Sequence, residues 1–381
     1  MKVKFQTEEL KKRMSQLGAV VSKKATSPVY GFVRLFATQA QGEGLTPTFS
    51  VGVMGVAIDS ELTTYFTKAE ADGPVDVLLP FAKLVEILSA VSATETTIEA
   101  ADETKAVFKA GKYKAELKTY PLANWPATIE RPEKSTATVD LPAFKNQIGA
   151  VEFAVPANDG KFVVSVAKVE SDGFTVKLVA TDGFRLAIAE EPKDAGTWSL
   201  TLPKPALDLI KKLEGGAQVT ISEAEAGFFF DTDLESLTVS RSHGEFPNYA
   251  AILPKGHKTT VTFDKAVVAE SIKRVKACAD SEKPTIVFTV PENGTSLTLA
   301  AAYDESGTDG SVFRNNAEDE IEVKIEGPAQ NIHLNGEYML EFIDKATGAI
   351  TAHFSSASSV ADFTANEGKY RYLLMPVRSA A

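Results

Sequence analysis

Apolar residues recur along this chain at helical spacing, and the same spacing returns three times. Leu10, Met14 and Leu17 lie on one face of a predicted helix, and Phe144, Ile148 and Val151 keep the same offsets, as do Val268, Ile272 and Val275. A second helix repeats as well, with Leu79, Leu84 and Ile87 matched by Leu202, Leu207 and Ile210 and by Leu334, Met339 and Phe342. Between the helices, short alternating runs bounded by turn residues predict antiparallel strands, among them 97–100, 106–109, 113–117, 176–179, 219–222, 227–231, 237–239 and 285–290. The pattern predicts an α+β protein made of three tandem copies of a two-helix plus antiparallel-sheet domain.

The copies also end alike. A strand runs into an aromatic or apolar residue and then proline: Tyr120-Pro121 and Trp125-Pro126, Phe246-Pro247 and Leu253-Pro254, and finally Met375-Pro376. Proline lacks the N–H that a central ladder needs, so these points mark strand ends. Domains are expected over 1–130, 131–254 and 255–381, with linkers at Ile129 to Ser135 and Pro254 to Lys258. Thr7 and Asp264 are expected to cap helices, and Pro80, Pro142 and Pro203 sit near first turns, where a missing N–H costs little.

Composition narrows the class. The 381 residues are enough for several cores, and no apolar run approaches the ~20 residues of a membrane helix. The opening residues lack the pattern of a signal peptide, so a cytoplasmic protein without a membrane partner is expected. The single cysteine, Cys278, permits no internal disulfide and is read as a small packed side chain at the end of a helix over 265–279. The sequon at Asn293 is read as a turn. Net charge is −11, yet basic residues gather on the predicted helices: Lys11, Lys12 and Arg13, then Lys204, Lys211 and Lys212, then Lys265, Lys273, Arg274 and Lys276. Acidic residues gather in strand and loop segments. Helices lining one surface would make that surface basic in an otherwise acidic molecule.

Catalytic patterns are missing from the sequence. The histidines His243, His257, His333 and His353 never fall at metal-ligand spacing, and no cysteine pair accompanies them. Gly42-Glu43-Gly44 lacks the third glycine of a dinucleotide fingerprint, and neither a phosphate loop nor a G-x-S-x-G elbow occurs. No enzyme activity, metal or cofactor is expected.

One stretch stands out, Ala180-Thr181-Asp182-Gly183-Phe184-Arg185-Leu186-Ala187, in which Asp-Gly makes a tight turn between two strands. Alone it reads as an ordinary hairpin. Together with Glu245-Phe246-Pro247-Asn248-Tyr249, the ending Tyr372-Leu373-Leu374-Met375-Pro376-Val377-Arg378, Thr26-Ser27-Pro28 after the first helix and Tyr120-Pro121-Leu122-Ala123-Asn124-Trp125-Pro126, it resembles the bacterial sliding-clamp family, the beta subunits of DNA polymerase III. The resemblance covers nearly the whole chain.

That resemblance implies the DNA clamp fold, with two chains closing head to tail into a ring, helices inside and sheets outside, around double-stranded DNA. Contact with DNA would be sequence-independent, through Lys23, Lys24, Lys83, Lys161, Lys204, Lys273 and Lys276. The ring would tether the DNA polymerase III catalytic subunit, the clamp loader and other clamp-motif proteins, and so confer processivity. Such partners insert a short peptide with glutamine and bulky apolar residues into a groove. Carried over, the groove is lined by Val164, Thr181, Gly183, Phe184, Arg185, Leu186, Pro247 and Ile252, with Ser359, Leu373, Met375, Pro376, Val377 and Arg378. The homodimer interface would involve Lys112, Lys114, Ala115 and Leu117 on one side and Ala277, Cys278, Glu318, Asp319 and Glu320 on the other. The chain departs from the family in Phe184, where histidine is common, in Ala251, where a basic residue is frequent, and in the small Ala115 and Ala277-Cys278 at the interface. A scaffold of the same fold that does not load onto DNA is the alternative.

Overall fold

The computed structural model describes residues 1–21, 27–39, 48–100, 104–156, 165–242, 246–306 and 312–378. Among them are the α-helices α1 (Thr7–Leu17), α2 (Phe81–Ala90), α3 (Leu141–Val151), α4 (Lys204–Lys212), α5 (Lys265–Lys276) and α6 (Gly336–Lys345). The first-helix triplets Leu10/Met14/Leu17, Phe144/Ile148/Val151 and Val268/Ile272/Val275 are all buried, as their spacing predicts. The second triplets differ from the expectation. Leu79, Leu202 and Leu334 lie at the ends of the preceding strands, and only the later members are helical. A strand residue at such a corner points into the same core as the helix that follows, so burial repeats although the conformation changes.

Helix ends show a second difference. Asp264 caps α5 as expected, its Oδ1 accepting from the backbone N–H of Ala266 (2.8 Å) and Val267 (3.2 Å). Asn335 does the same for α6, accepting from Glu337 (2.9 Å) and Tyr338 (3.1 Å). Thr7 does not cap: it is the first residue of α1, and its hydroxyl is buried without a hydrogen-bond partner. Asn293 stands in a turn at φ 45°, accepting from the N–H of Gly327, in line with the reading of its sequon.

The described residues form two compact units, Met1–Pro142 with Asp208–Ser242, and Ala143–Leu207 with His243–Ala381. Each has two antiparallel sheets. In the first unit a five-stranded sheet runs Glu70–Ala71, Lys2–Gln6, Glu95–Ala100, Lys105–Ala110, Tyr113–Lys118. Its eight-stranded sheet joins four strands from the second third of the chain to four from the first, through Glu235–Ser240 beside Ser60–Tyr65, with Leu237 opposite Leu62. In the second unit a seven-stranded sheet makes the equivalent joint: Arg185–Pro203 pairs with Tyr370–Leu374, and Leu186 faces Leu373. A four-stranded sheet runs Val312–Glu322, Ser296–Ser306, Thr285–Val290, Gln330–Asn335. Alternating burial along these strands places apolar side chains on covered faces and charged ones outside. The repeat seen in the sequence therefore reappears as a repeated way of joining strands distant in the chain.

Candidate functional site

The hairpin around Asp182-Gly183 is built from local hydrogen bonds. Asp182 Oδ1 accepts from the N–H of Phe184 and of Arg185 (both 3.0 Å), while Thr181 Oγ1 accepts from the N–H of Gly183 (3.1 Å) and donates to the carbonyl of Arg185 (2.6 Å). Gly183 takes φ 87°, which only glycine enters cheaply. This tip is tied to the end of the chain, where the Met375 N–H donates to the Phe184 carbonyl (2.9 Å) and the Val377 N–H to the His333 carbonyl (2.8 Å). Two motifs far apart in sequence thus meet on one sheet of the second unit.

Their side chains divide into two sets. Phe184, Ile252 and Met375 are exposed at 56%, 57% and 51%, and Gly183, Pro247 and Arg378 are exposed as well. Thr181, Ser359, Pro376 and Val377 are half-buried, with the Ser359 hydroxyl 2.6 Å from that of Ser356. Leu186 and Leu373, expected to line the groove, are instead buried with Val179, Ile188 and Tyr249, and Phe246, Leu253 and Val360 pack against that cluster. Tyr249 comes from the F-P-x-Y segment and covers the joint from above, which local spacing does not reveal. Its phenol pairs with the Glu170 carboxylate, and burial together with that carboxylate holds it well above the usual phenol range. A cleft of about 550 Å³ opens beside it, lined by Lys168, Glu170, Pro247 and Asn248 among others.

Arg185 also differs from its expected role. Its side chain is turned inward and fully engaged: Nε donates to Asp182 Oδ2 (2.9 Å), one terminal nitrogen pairs with Glu341 and the other donates to the Phe153 carbonyl (3.0 Å). The guanidinium lies 4.0 Å from the centre of the Tyr338 ring and 5.0 Å from that of Phe153. Val164 lies outside the described residues.

The expected cationic residues stand in several environments. Lys23, Lys24 and Lys161 lie outside the described residues. Lys83 is exposed on α2 and pairs with Glu86 (2.9 Å), Lys276 pairs with Glu337, and Lys204 donates to the Glu152 carbonyl (3.2 Å). Lys273 is exposed on α5. Of the other helix cations, Lys12 pairs with Glu214 (2.6 Å) and Arg274 with Asp319 (2.6 Å), while Arg13, read as helix surface, is 3% exposed within the core. Helix positive charge is therefore partly balanced by nearby carboxylates.

Most of the residues expected at an interface fall at two sheet edges. Tyr113–Lys118 is the last strand of the five-stranded sheet, and Val312–Glu322 is the last strand of the four-stranded sheet. Lys112, Lys114 and Lys118 are exposed along the first edge, with Ala115 half-buried. Leu117 is buried inside its own unit at 4% exposure. A cleft of about 650 Å³ lies against this strand, lined by Phe32, Lys83, Ile87, Tyr113, Ala115 and Leu117 among others. Along the second edge Glu318 and Glu320 are exposed, whereas the carboxyl of Asp319 lies beside Ser271, accepts from Arg274 (2.6 Å) and is held by these neighbours below its usual range. Ala277 and Cys278 follow α5 in a turn, with the Cys278 N–H donating to the Val275 carbonyl (3.1 Å), rather than lying within the helix.

Sequence reasoning missed Glu341, Tyr338 and Phe153 around Arg185, because nothing in their spacing points to a partner so distant in the chain. It missed Phe32 beside the edge strand for the same reason, and it read Tyr113 only as part of that strand. Among the described residues no group of three or more potential ligands could hold a metal ion, and no helix is long and apolar enough to cross a membrane.

Residues 138–248 match the family model described as DNA polymerase III beta subunit, central domain, and residues 250–378 match that of the C-terminal domain of the same subunit. The chain is 26% identical to the beta sliding clamp of Pseudomonas putida, over 98% of this chain and 99% of that one. It is 25% identical to that of Caulobacter vibrioides, over 99% and 100%. In fold it is similar to the DNA polymerase III beta subunit of Pseudomonas aeruginosa, with a TM-score of 0.86 at 21% identity, covering 100% of both chains. The Bacillus subtilis sliding clamp gives 0.87 at 18%, again over 100% of both chains.

Proposed function

The chain belongs to the DNA polymerase III beta subunit family, the beta sliding clamps, and we propose that, as a DNA sliding clamp, it works by encircling double-stranded DNA as a head-to-tail dimer. Each chain contributes three domains, over 1–130, 131–254 and 255–381, so that two chains make a ring of six. The ring confers processivity by topology, without catalysis. It tethers the polymerase III catalytic subunit, the clamp loader and other clamp-motif proteins.

The observation that carries ring closure is the pair of unlike strand edges. Tyr113–Lys118 ends one sheet with lysines exposed, Val312–Glu322 ends another with carboxylates exposed, and each leaves main-chain groups without a neighbouring strand in its sheet. Two different edges that complement each other form a heterologous contact, and such contacts either close into a ring or grow into filaments. Exposed charge pairs add only about 0–1 kcal/mol each, so closure draws mainly on strand pairing and on filling the cleft beside Ala115. Sedimentation equilibrium is expected to give twice the chain mass. A monomer at all concentrations would refute closure.

DNA is held through phosphates, with no base read. Lys83 and Lys276 can exchange Glu86 and Glu337 for phosphate oxygens, and Lys273 is exposed; Lys23, Lys24, Lys161 and Lys204 complete the proposed set. The same ion pairs favour the second reading, a non-loading scaffold of this fold, because a paired lysine offers less free charge to DNA.

The docking site is proposed at the hairpin tip and the chain end. Phe184, Ile252 and Met375 form its apolar surface, Gly183, Pro247 and Arg378 stand around it, and Leu186 and Leu373 support it from below. Exposed apolar anchors over a rigid, fully packed floor suit a peptide carrying bulky apolar residues. Phe184 makes this surface more apolar than a histidine would.

A further inference from the structure

Phe184 is held through both of its backbone polar groups. Its N–H donates to Asp182 Oδ1 at 3.0 Å, and its carbonyl accepts from the Met375 N–H at 2.9 Å. The position of its exposed ring therefore depends on where the Asp182 carboxylate is fixed. That carboxylate is fixed by Arg185, whose Nε donates to Oδ2 at 2.9 Å. Arg185 in turn is 8% exposed, pairs with Glu341 on α6 and stacks on Tyr338 of the same helix. A continuous chain of charged contacts thus runs from α6 to the hairpin tip.

We propose that Glu341 is a positioning residue for the docking site, acting through Arg185 and Asp182 to set the place of Phe184. This rests on the reading of Phe184 and Met375 as docking surface. Arg185, expected to meet the partner peptide, serves instead as a bolt. The planar guanidinium suits that role because it reaches Asp182, Glu341 and the Phe153 carbonyl in separate directions while its face lies on an aromatic ring, which a lysine ammonium does not reproduce. Removing Glu341 leaves a buried cation short of one partner, and the guanidinium then re-aims, taking Asp182 with it.

The test uses the full chain and a short fluorescein-labelled probe peptide carrying glutamine, leucine and phenylalanine. Glu341→Gln keeps the side-chain shape and removes the charge. Affinity measured by fluorescence polarisation is expected to fall about tenfold, the size of one charge-assisted hydrogen bond. Amide-exchange protection at Phe184 and Arg185 is expected to fall with it, and Glu341→Asp to recover part of both. Tyr338→Leu, which removes the ring beneath the guanidinium, should act in the same direction and serves if Glu341→Gln fails to fold. Unchanged protection at Phe184 and Arg185 would overturn the proposal, since lost affinity alone would mean that Glu341 touches the peptide. Lost protection with unchanged affinity would overturn it too. A wild-type chain that does not bind the probe would remove the docking reading itself, and the exchange data would still decide whether Glu341 holds the tip.

Discussion

Met375→Glu separates docking from folding more cleanly than any other substitution in the motif. Met375 is 51% exposed, and its backbone bond to Phe184 survives a change of side chain. A fully buried methionine contributes about 1.5–3 kcal/mol, so the half still exposed can add about 1 kcal/mol when a peptide covers it. Glutamate forfeits that and also places a carboxylate where an apolar side chain must settle, at a desolvation cost of several kcal/mol. The sum predicts a loss of about a hundredfold or more in probe affinity by fluorescence polarisation. Folding stability should move by only about 0.5 kcal/mol, as for most exposed positions. Affinity within about twofold of wild type would refute the docking surface described above. A large drop in the thermal midpoint would show that Met375 belongs to the core.

Leu186→Ala should behave in the opposite way, costing about 2–5 kcal/mol in urea unfolding because the side chain lies in the cluster under Tyr249; a loss below about 1 kcal/mol would contradict that packing. His353 lies tilted against His257 with ring centres 4.1 Å apart, and burial and then the neighbouring ring hold its pKa below the ordinary value, against the nearby Asp362. A depressed histidine contributes stability that is complete above its unfolded pKa of about 6.5 and is lost as pH falls below it. His353→Phe should therefore flatten part of the stability slope below about pH 6.5, and an unchanged slope would refute the assignment. Lys114→Glu should weaken the dimer about tenfold in sedimentation, with recovery when mixed with a Glu320→Lys chain; equal loss without recovery would place the contact elsewhere.

The helices and most strands were legible in the sequence because each depends on local periodicity or on a turn that needs its own residues, whereas the meeting of distant motifs was expected only from the family resemblance. Asp264 announces its helix, and Asp182-Gly183 its hairpin. What stayed hidden depends on partners far along the chain. Leu186 and Leu373 alternate like any lining residues, and they are buried once they meet across the sheet joint and Tyr249, with Phe246, Leu253 and Val360, packs against them. Arg185 reads as a surface cation until Glu341 and Tyr338 meet it. Leu79, Leu202 and Leu334 kept a helical offset by lying at strand ends that share a core with the next helix. Thr7 has the residue type of a cap but stands one place too late.

The central claim is topological, and retention on DNA tests it directly. The chain, loaded onto a nicked circular duplex by a clamp loader with ATP, should stay bound through gel filtration and be released when the circle is cut, because a ring that holds no base slides off an open end. Retention that persists after linearisation would contradict encirclement and point to ordinary binding at fixed sites.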